Sequence, residues 1–405
     1  MLKNIQQLAG GVTAPKGFTA AGVCAGLKKA KKDLALIVSE TVAAAAAVYT
    51  RNLVQAAPLK VTRENLNSGH ARAIVVNSGN ANACTGEQGY QDAREMAAVT
   101  ARAVGCEPWQ VVVASTGVIG VNLPMDKIKE GIKKAASNLT VQGSSEAAAA
   151  IMTTDTFLKE IAIQLPLGGT LVTIGGIAKG SGMIHPNMGT MLCFLTTDAA
   201  IEAHELERML KAVVDRTFNM VTVDGDTSTN DMVVVLANGL ADNEPFTIEE
   251  QALFQAALEH VCRQLARMIA RDGEGATKLL TVLVQGAATE IDARQVALAV
   301  AGSNLVKSAI FGCDANWGRI LCAAGYSGAA IDPERVAIYL ESVAGCEQVA
   351  AAGQPLPFNE DKAKAILREE EVIIKVNLNQ GNAEATAWGC DLTYDYVKIN
   401  ASYRS

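Results

Sequence analysis

Apolar residues along this chain fall into two alternating rhythms, and the alternation predicts a mixed α/β protein. Short β-branched runs at 34–39, 73–76 and 110–114 read as strands. Segments 91–104 and Met125–Ser137 carry apolar residues at helical spacing, the second directly after Pro124, a helix-start signal. Further on, 170–197 holds strand-like stretches around a Gly-rich insertion at 175–182. Helical spacing returns at 202–216 and 247–271, and the tail, 371–405, alternates apolar and polar residues as strands do. The alanine run at 43–47 is too short to span a bilayer and reads as a tightly packed helix or strand connection.

Length changes this picture first. A chain of 405 residues exceeds the size at which one hydrophobic core stops growing, so two α/β domains of layered sheets and helices are expected, 1–200 and 201–405. An apolar share of 49% with 19% charged residues fits a folded enzyme rather than a disordered chain. The net charge of −7 opposes a nucleic-acid partner, because phosphate binding needs clustered cations. The one short basic cluster, Lys28, Lys29, Lys31 and Lys32, reads as a solvated helix face. Nine cysteines without a C-x-x-C pair read as buried thiols of a reducing cytoplasm, and the four histidines lie far from them, so no metal is expected. No stretch is long and apolar enough for a membrane span.

Candidate chemistry sits where strands end. Residues 77–82 and 115–120 are rich in Gly, Asn, Ser and Thr; such segments either make tight turns or present backbone N–H groups to a developing anion. Around Lys179 a phosphate loop is excluded, because Lys precedes Gly and the sequence that follows reads as loop and then strand. The acidic run 224–231 fails as a calcium loop, having Thr229 where Gly is needed and Val235 where Glu is needed; turn hydrogen bonding or contact with the active site remain for it. No G-x-S-x-G elbow is present. Gly189-Thr190 closes the Gly-rich segment ahead of a strand, a layout that suits self-cleavage, although Gly-Thr pairs are common and spacing alone does not decide. If cut there, Thr190 would combine a hydroxyl with an α-amine whose ordinary pKa is roughly 7.7–8.0.

Several motifs agree in order. Gly11-Val-Thr-Ala-Pro-Lys-Gly-Phe18, 77–82, 115–120, Thr153-Thr154-Asp155-Thr156, 179–192, 224–231, Asp314-Ala-Asn-Trp-Gly-Arg319 and the end 400–405 together resemble the ornithine acetyltransferase (glutamate N-acetyltransferase) family along essentially the whole chain. The resemblance implies cleavage between Gly189 and Thr190 into α (1–189) and β (190–405) chains that stay associated, typically as an α2β2 heterotetramer. It implies acetyl transfer from N2-acetyl-L-ornithine to L-glutamate in arginine biosynthesis, ping-pong through acetyl-Thr190. The oxyanion hole maps to Thr116 and Gly117, and substrate contacts to Thr153 or Thr154, Lys179, Thr190, Glu274, Asn400 and Ser405. Lys179 suits a carboxylate, and Glu274 a cationic amine or a donor. The implied fold is a two-domain layered one, distinct from the proteasome-type N-terminal-nucleophile fold.

Gly189 stands where many members have Ala, and Ser405 where many have Thr; each keeps the small size or terminal hydroxyl that the chemistry needs. His185 is expected to make structural hydrogen bonds, since Thr190 supplies its own base. No cofactor is implied, and the resemblance leaves open whether acetyl-CoA also serves as donor. Two rivals predict different outcomes: an N-terminal-nucleophile aminopeptidase or amidase hydrolyses acetylornithine without transfer, and a non-catalytic binding protein keeps its chain intact.

Overall fold

The computed structural model describes residues 5–185 and 191–401. They form two compact units: 1–180, 187–215 and 227–265 make the first, and 181–186, 216–226 and 266–405 the second. The expected division at residue 200 cuts the chain elsewhere, inside the first unit.

The first unit is built on one nine-stranded sheet. Its strands are β1 (Gln6–Leu8), β2 (Phe18–Val23), β3 (Leu34–Tyr49), β4 (His70–Asn80), β5 (Val111–Val118), β6 (Lys159–Leu167), β7 (Thr170–Lys179), β8 (Leu192–Thr197) and β9 (Met232–Ala237). Its helices are α1 (Ala57–Asn65), α2 (Gly86–Val104), α3 (Met125–Ser137), α4 (Ser144–Ile151), α5 (Ala203–Arg216) and α6 (Ile248–Arg271), the last turn of α6 counting with the second unit. The strand order β1-β6-β7-β8-β9-β3-β4-β5, with β2 also on β3, explains why 187–215 and 227–265 belong here: β8 and β9 are interior strands.

β3 organises the sheet. Its 16 residues extend the expected 34–39 strand through the alanine run, which is therefore strand. Its first half pairs with β2 and β4 and its second half with β9, and the register on β4 breaks between Val38 and Ala43. One core cluster joins Ala43 and Ala45 to Phe194, Val234, Ile74 and the small residues of α4. Small residues are required there, because a Cβ at Gly22 would lie 1.8 Å from the Glu146 carbonyl oxygen of α4. A second cluster packs β2–β5 against α1, α2 and α3. In α3 the buried positions Ile128, Gly131, Ile132 and Ala135 trace the stripe that the sequence showed.

The second unit has a six-stranded sheet of order β13-β12-β11-β14-β10-β15. These are β10 (Leu279–Ala287), β11 (Ala337–Ser342), β12 (Gly345–Ala351), β13 (Gln354–Pro355), β14 (Glu371–Asn377) and β15 (Ala383–Cys390). Its helices are α7 (Glu290–Gly302), α8 (Asn304–Phe311), α9 (Trp317–Gly325), α10 (Glu360–Arg368) and α11 (Tyr394–Asn400). The mixed α/β class with layered sheets and helices is as expected.

Three local expectations are corrected. The tail does not stay extended: the Thr393 hydroxyl accepts from Tyr396 N–H and starts α11. Residues 28–32 are not a helix, because Asp33, fully buried, accepts the backbone N–H groups of Ala25, Gly26, Leu27 and Lys28 and holds the segment as a loop. Of the cysteines, Cys193, Cys262 and Cys390 are buried, whereas Cys24, Cys84, Cys322 and Cys346 are exposed. No helix among the described residues is long and apolar enough to cross a membrane.

Candidate active site

In the first unit the site is built at the ends of β4 and β5. Parallel pairing continues past the apolar run, setting Ser78 against Thr116 and Gly79 against Gly117, so the two segments expected as loops are largely strand ends. Thr116 is 3% exposed. Gly117 has φ 131°, and a Cβ there would stand 2.3 Å from the Gly79 carbonyl carbon. Only glycine allows this approach with this backbone. The Ser115 hydroxyl donates to Asn77 Oδ1 (2.6 Å), and Asn77 Nδ2 donates to the Asn80 carbonyl (2.9 Å), bracing both strand ends.

A buried charge cluster lies within the same unit. Asp155 accepts from Lys159 Nζ (2.8 Å), Gly180 N–H (2.7 Å) and Thr153 N–H (2.9 Å), and Lys179 Nζ is 4.0 Å from its Oδ2. One carboxylate thus gathers two nominated residues, Thr153 and Lys179. Burial pushes the Asp155 pKa up, but Lys179, Lys159 and the Gly180 N–H outweigh it and hold the group well below the usual carboxylate range. Thr154 is the neighbour of Thr153 and is half-buried.

Asp155→Asn removes the charge that a fully buried Lys159 side chain is bonded to, and is expected to cost about 3–5 kcal/mol. Urea unfolding measures it; a double variant with Lys159→Met that recovers no stability refutes the pairing account. Because the folded pKa is depressed, the Asp155 contribution is complete above the ordinary carboxylate value and is lost as pH falls through the folded one.

Lys28 was not singled out for chemistry by the sequence, yet its Nζ donates to the Met152 carbonyl (2.8 Å), just before Thr153. Burial lowers its pKa to about 8, with Asp33 and Asp155 opposing and Lys31 and Lys179 adding to the fall. Between about 8 and the ordinary 10.5 the unfolded chain binds more protons than the folded one. Wild type is therefore expected to gain stability relative to Lys28→Met as pH rises through that window; parallel denaturation curves at pH 7 and 10 test it, and an unchanged difference refutes it.

The acidic run is the other element that sequence reasoning left open. Asn230 Nδ2 donates to the carbonyls of Ala81 (2.6 Å) and Ser115 (2.8 Å). Asp231 is fully buried and accepts Met191 N–H at 2.8 Å. Burial raises its carboxyl well above the ordinary range, against the Met191 N–H and other donors.

In the second unit, Glu274 and Asn400 are brought together: Asn400 Nδ2 donates to Glu274 Oε2 (2.8 Å) and to the Tyr396 carbonyl (3.1 Å). Glu274 is 7% exposed, and Gly182 makes room for it, since a Cβ there would lie 2.4 Å from the carboxylate. Asp224 accepts Met183 N–H (2.6 Å) and Ile184 N–H (2.9 Å), tying the acidic run to the Gly-rich segment. Burial raises the Asp224 pKa, with these backbone donors opposing. His185 Nδ1 stands 3.1 Å from the Thr222 hydroxyl, a hydrogen-bonding placement, and burial lowers the pKa of the ring. Gly189, Thr190 and Ser405 lie outside the described residues. Among the described residues no group of three or more His, Cys, Asp or Glu side chains could hold a metal ion.

Comparison with known proteins gives one consistent answer. Residues 19–405 match the ArgJ family. The chain is 59% identical to the arginine biosynthesis bifunctional protein ArgJ of Symbiobacterium thermophilum, over 99% of this chain and 100% of that one. Against the protein of the same name from Bacillus subtilis it is 52% identical, covering 99% and 98%. Among solved structures, the arginine biosynthesis bifunctional protein argJ from Bacillus halodurans superposes with a TM-score of 0.50 at 52% identity, over 52% of this chain and 98% of that one.

Proposed function

Because this chain belongs to the ArgJ family, we infer that it moves an acetyl group from N2-acetyl-L-ornithine to L-glutamate through an ester on Thr190. The class of activity, an acetyltransferase of arginine biosynthesis, follows from identity of 52–59% with ArgJ proteins over the full chain. That full-length kinship is the observation that carries the reading.

Maturation comes first. The Thr190 hydroxyl adds to the Gly189 carbonyl, the Thr190 nitrogen leaves, and the chain passes through an ester that water opens to a Gly189 carboxylate and a free α-amine. The solved relative from Bacillus halodurans supports a cut near mid-chain, because 98% of it matches only 52% of this chain. In transfer, Thr190 Oγ attacks the acetyl carbonyl while its α-amine carries the hydroxyl proton to the departing ornithine nitrogen. The amine of glutamate then attacks the acetyl ester and restores the hydroxyl.

Gly117 N–H and Thr116 are the groups we assign to the developing oxyanion. Lys179, Thr153 or Thr154, Glu274, Asn400 and Ser405 are assigned to substrate contact, with Lys179 facing a carboxylate. Glu274→Gln is expected to raise the KM for acetylornithine about 10- to 100-fold, because a charge-assisted contact is worth roughly 1.5–3 kcal/mol. An unchanged KM in steady-state kinetics removes Glu274 from the assignment.

The reading needs no resident cofactor, places the enzyme in the cytoplasm and takes α2β2 as its assembly, which native mass measurement checks. The relatives are named bifunctional; acetyl-CoA as a second donor for glutamate is the corresponding proposal for this chain, tested by thiol release. The main experiment is intact mass under denaturing conditions combined with an acetyl-transfer assay. Two fragments meeting at 189/190 and acetylglutamate as product are expected. A single uncut chain that transfers, or acetate without acetylglutamate, overturns the reading.

A further inference from the structure

Two adjacent residues of the acidic run hold the two halves of the proposed chemistry, and they do so inside one compact unit. Asn230 Nδ2 bonds the Ser115 carbonyl at 2.8 Å, which fixes the peptide plane leading into Thr116. β5 is the last strand in the sheet order, so among the described residues its side away from β4 has no strand partner. In an extended strand the N–H two residues after a carbonyl emerges on the same side. The Gly117 N–H therefore shares the side on which Asn230 grips Ser115.

Asp231, one residue later, accepts the N–H of Met191 at 2.8 Å. That N–H belongs to the amide whose carbonyl is that of Thr190. The side chain is fully buried, and its Oδ1 is the oxygen that takes this bond. Beside it the Thr50 hydroxyl donates to the Ser228 carbonyl (2.9 Å), and the Thr50 and Ser228 hydroxyls act with the Met191 N–H against the rise that burial gives the carboxyl. Around the pair the backbone is pinned: Thr50 N–H donates to the Asp231 carbonyl (3.0 Å), and Asn230 N–H to Ser228 Oγ (3.1 Å). Parallel pairing of Leu192 with Met232 continues the same alignment into β8 and β9.

A carboxyl is costly to bury, and it is kept here against that cost with one oxygen on the Met191 N–H, which an apolar residue would leave without this acceptor. We propose that Asn230 and Asp231 are positioning residues which, through the Ser115 carbonyl and the Met191 amide, set the spacing between the oxyanion donors and the Thr190 hydroxyl. Neither touches substrate. The inference rests on the proposed acyl transfer and adds a residue pair to it.

Asp231→Asn keeps an acceptor for Met191 N–H and is expected to cleave and transfer within about threefold of wild type. Asp231→Leu keeps the γ-branched shape with somewhat more bulk and loses the acceptor, and Asn230→Ala frees the Ser115 carbonyl. Each is expected to lower kcat by about 10²-fold with KM within about threefold, since misplacement near 1 Å costs about that much. Wild-type kcat in folded Asn230→Ala, or in folded Asp231→Leu, overturns the proposal. So does an Asp231→Asn variant as impaired as Asp231→Leu, which would make charge rather than placement the requirement. Should Asp231→Leu not fold, Asn230→Ala decides alone. Wild-type enzyme run beside them separates the two failures: if it neither cuts at 189/190 nor transfers, the functional reading falls; if it does both, only the positioning role is at stake.

Discussion

Thr190→Ala is expected to leave a single uncut chain without transfer, a loss on the order of 10⁴-fold or more in kcat. The size of the effect follows from one residue serving twice. Without the hydroxyl no acyl shift breaks the Gly189 amide, so the α-amine that would act as base never forms, and no oxygen remains to carry acetyl. Thr190→Ser keeps both groups and is expected to mature and turn over, more slowly. Intact mass and a labelled-acetyl assay read the two losses separately. Transfer by the uncut alanine variant would falsify the nucleophile assignment, whereas a cut alanine variant would point to a protease in the preparation.

Gly117→Ala is expected to lower kcat by about 10²–10³-fold, the value of one oxyanion donor, and also to destabilise the protein by about 1–3 kcal/mol through backbone strain. The residue has φ 131°, and an added methyl meets Gly79 backbone at 2.3–2.4 Å, so neither partner is a flexible side-chain end that can swing away. Relief requires β5 to move off β4, carrying the Gly117 N–H with it. Gly120→Ala is the control in the same segment, because a Cβ there meets nothing within 4 Å although its φ is 79°. A Gly117→Ala enzyme with wild-type kcat would show that this N–H does not face the reacting carbonyl.

Legibility in the sequence followed the physics of each signal. The helix at Met125–Ser137 has the expected bounds because its buried face repeats at helical spacing and Pro124 marks its start. The helix expected at 91–104 begins earlier, at Gly86, because Gly86, Glu87 and Gln88 carry no apolar period to read. β3 outran its prediction for a similar reason: alanines at 43–47 have little strand preference, and pairing with β9 made the choice. In α11, Tyr394 and Val397 are 78% and 64% exposed, so the alternation that suggested a strand was not a record of burial.

At the site, Thr116, Gly117, Lys179, Glu274 and Asn400 came from family resemblance, and the geometry adds what joins some of them. Asp155 lay inside a quoted motif, yet its role as collector of Thr153, Lys159 and Lys179 could not be read, because sequence does not show which charges are buried together. Asp33 and Lys28 were hidden likewise by a basic cluster that looked solvated. The bond between Glu274 and Asn400 joins residues 126 positions apart, a separation that no local pattern encodes.

The proposed cut falls between β7 and β8, which are antiparallel neighbours paired at six positions from Ile174–Thr197 to Lys179–Leu192. Strand pairing across the nick would keep the fragments together without any covalent link, so they should copurify and melt in one transition. Recovery is a different matter. Before scission the two edges meet at the high effective concentration of a tethered loop; afterwards, once melted, they must find each other by bimolecular encounter. Processed enzyme should therefore show hysteresis on heating and cooling that the unprocessed chain lacks, and its durability would be set by the rate at which the sheet opens.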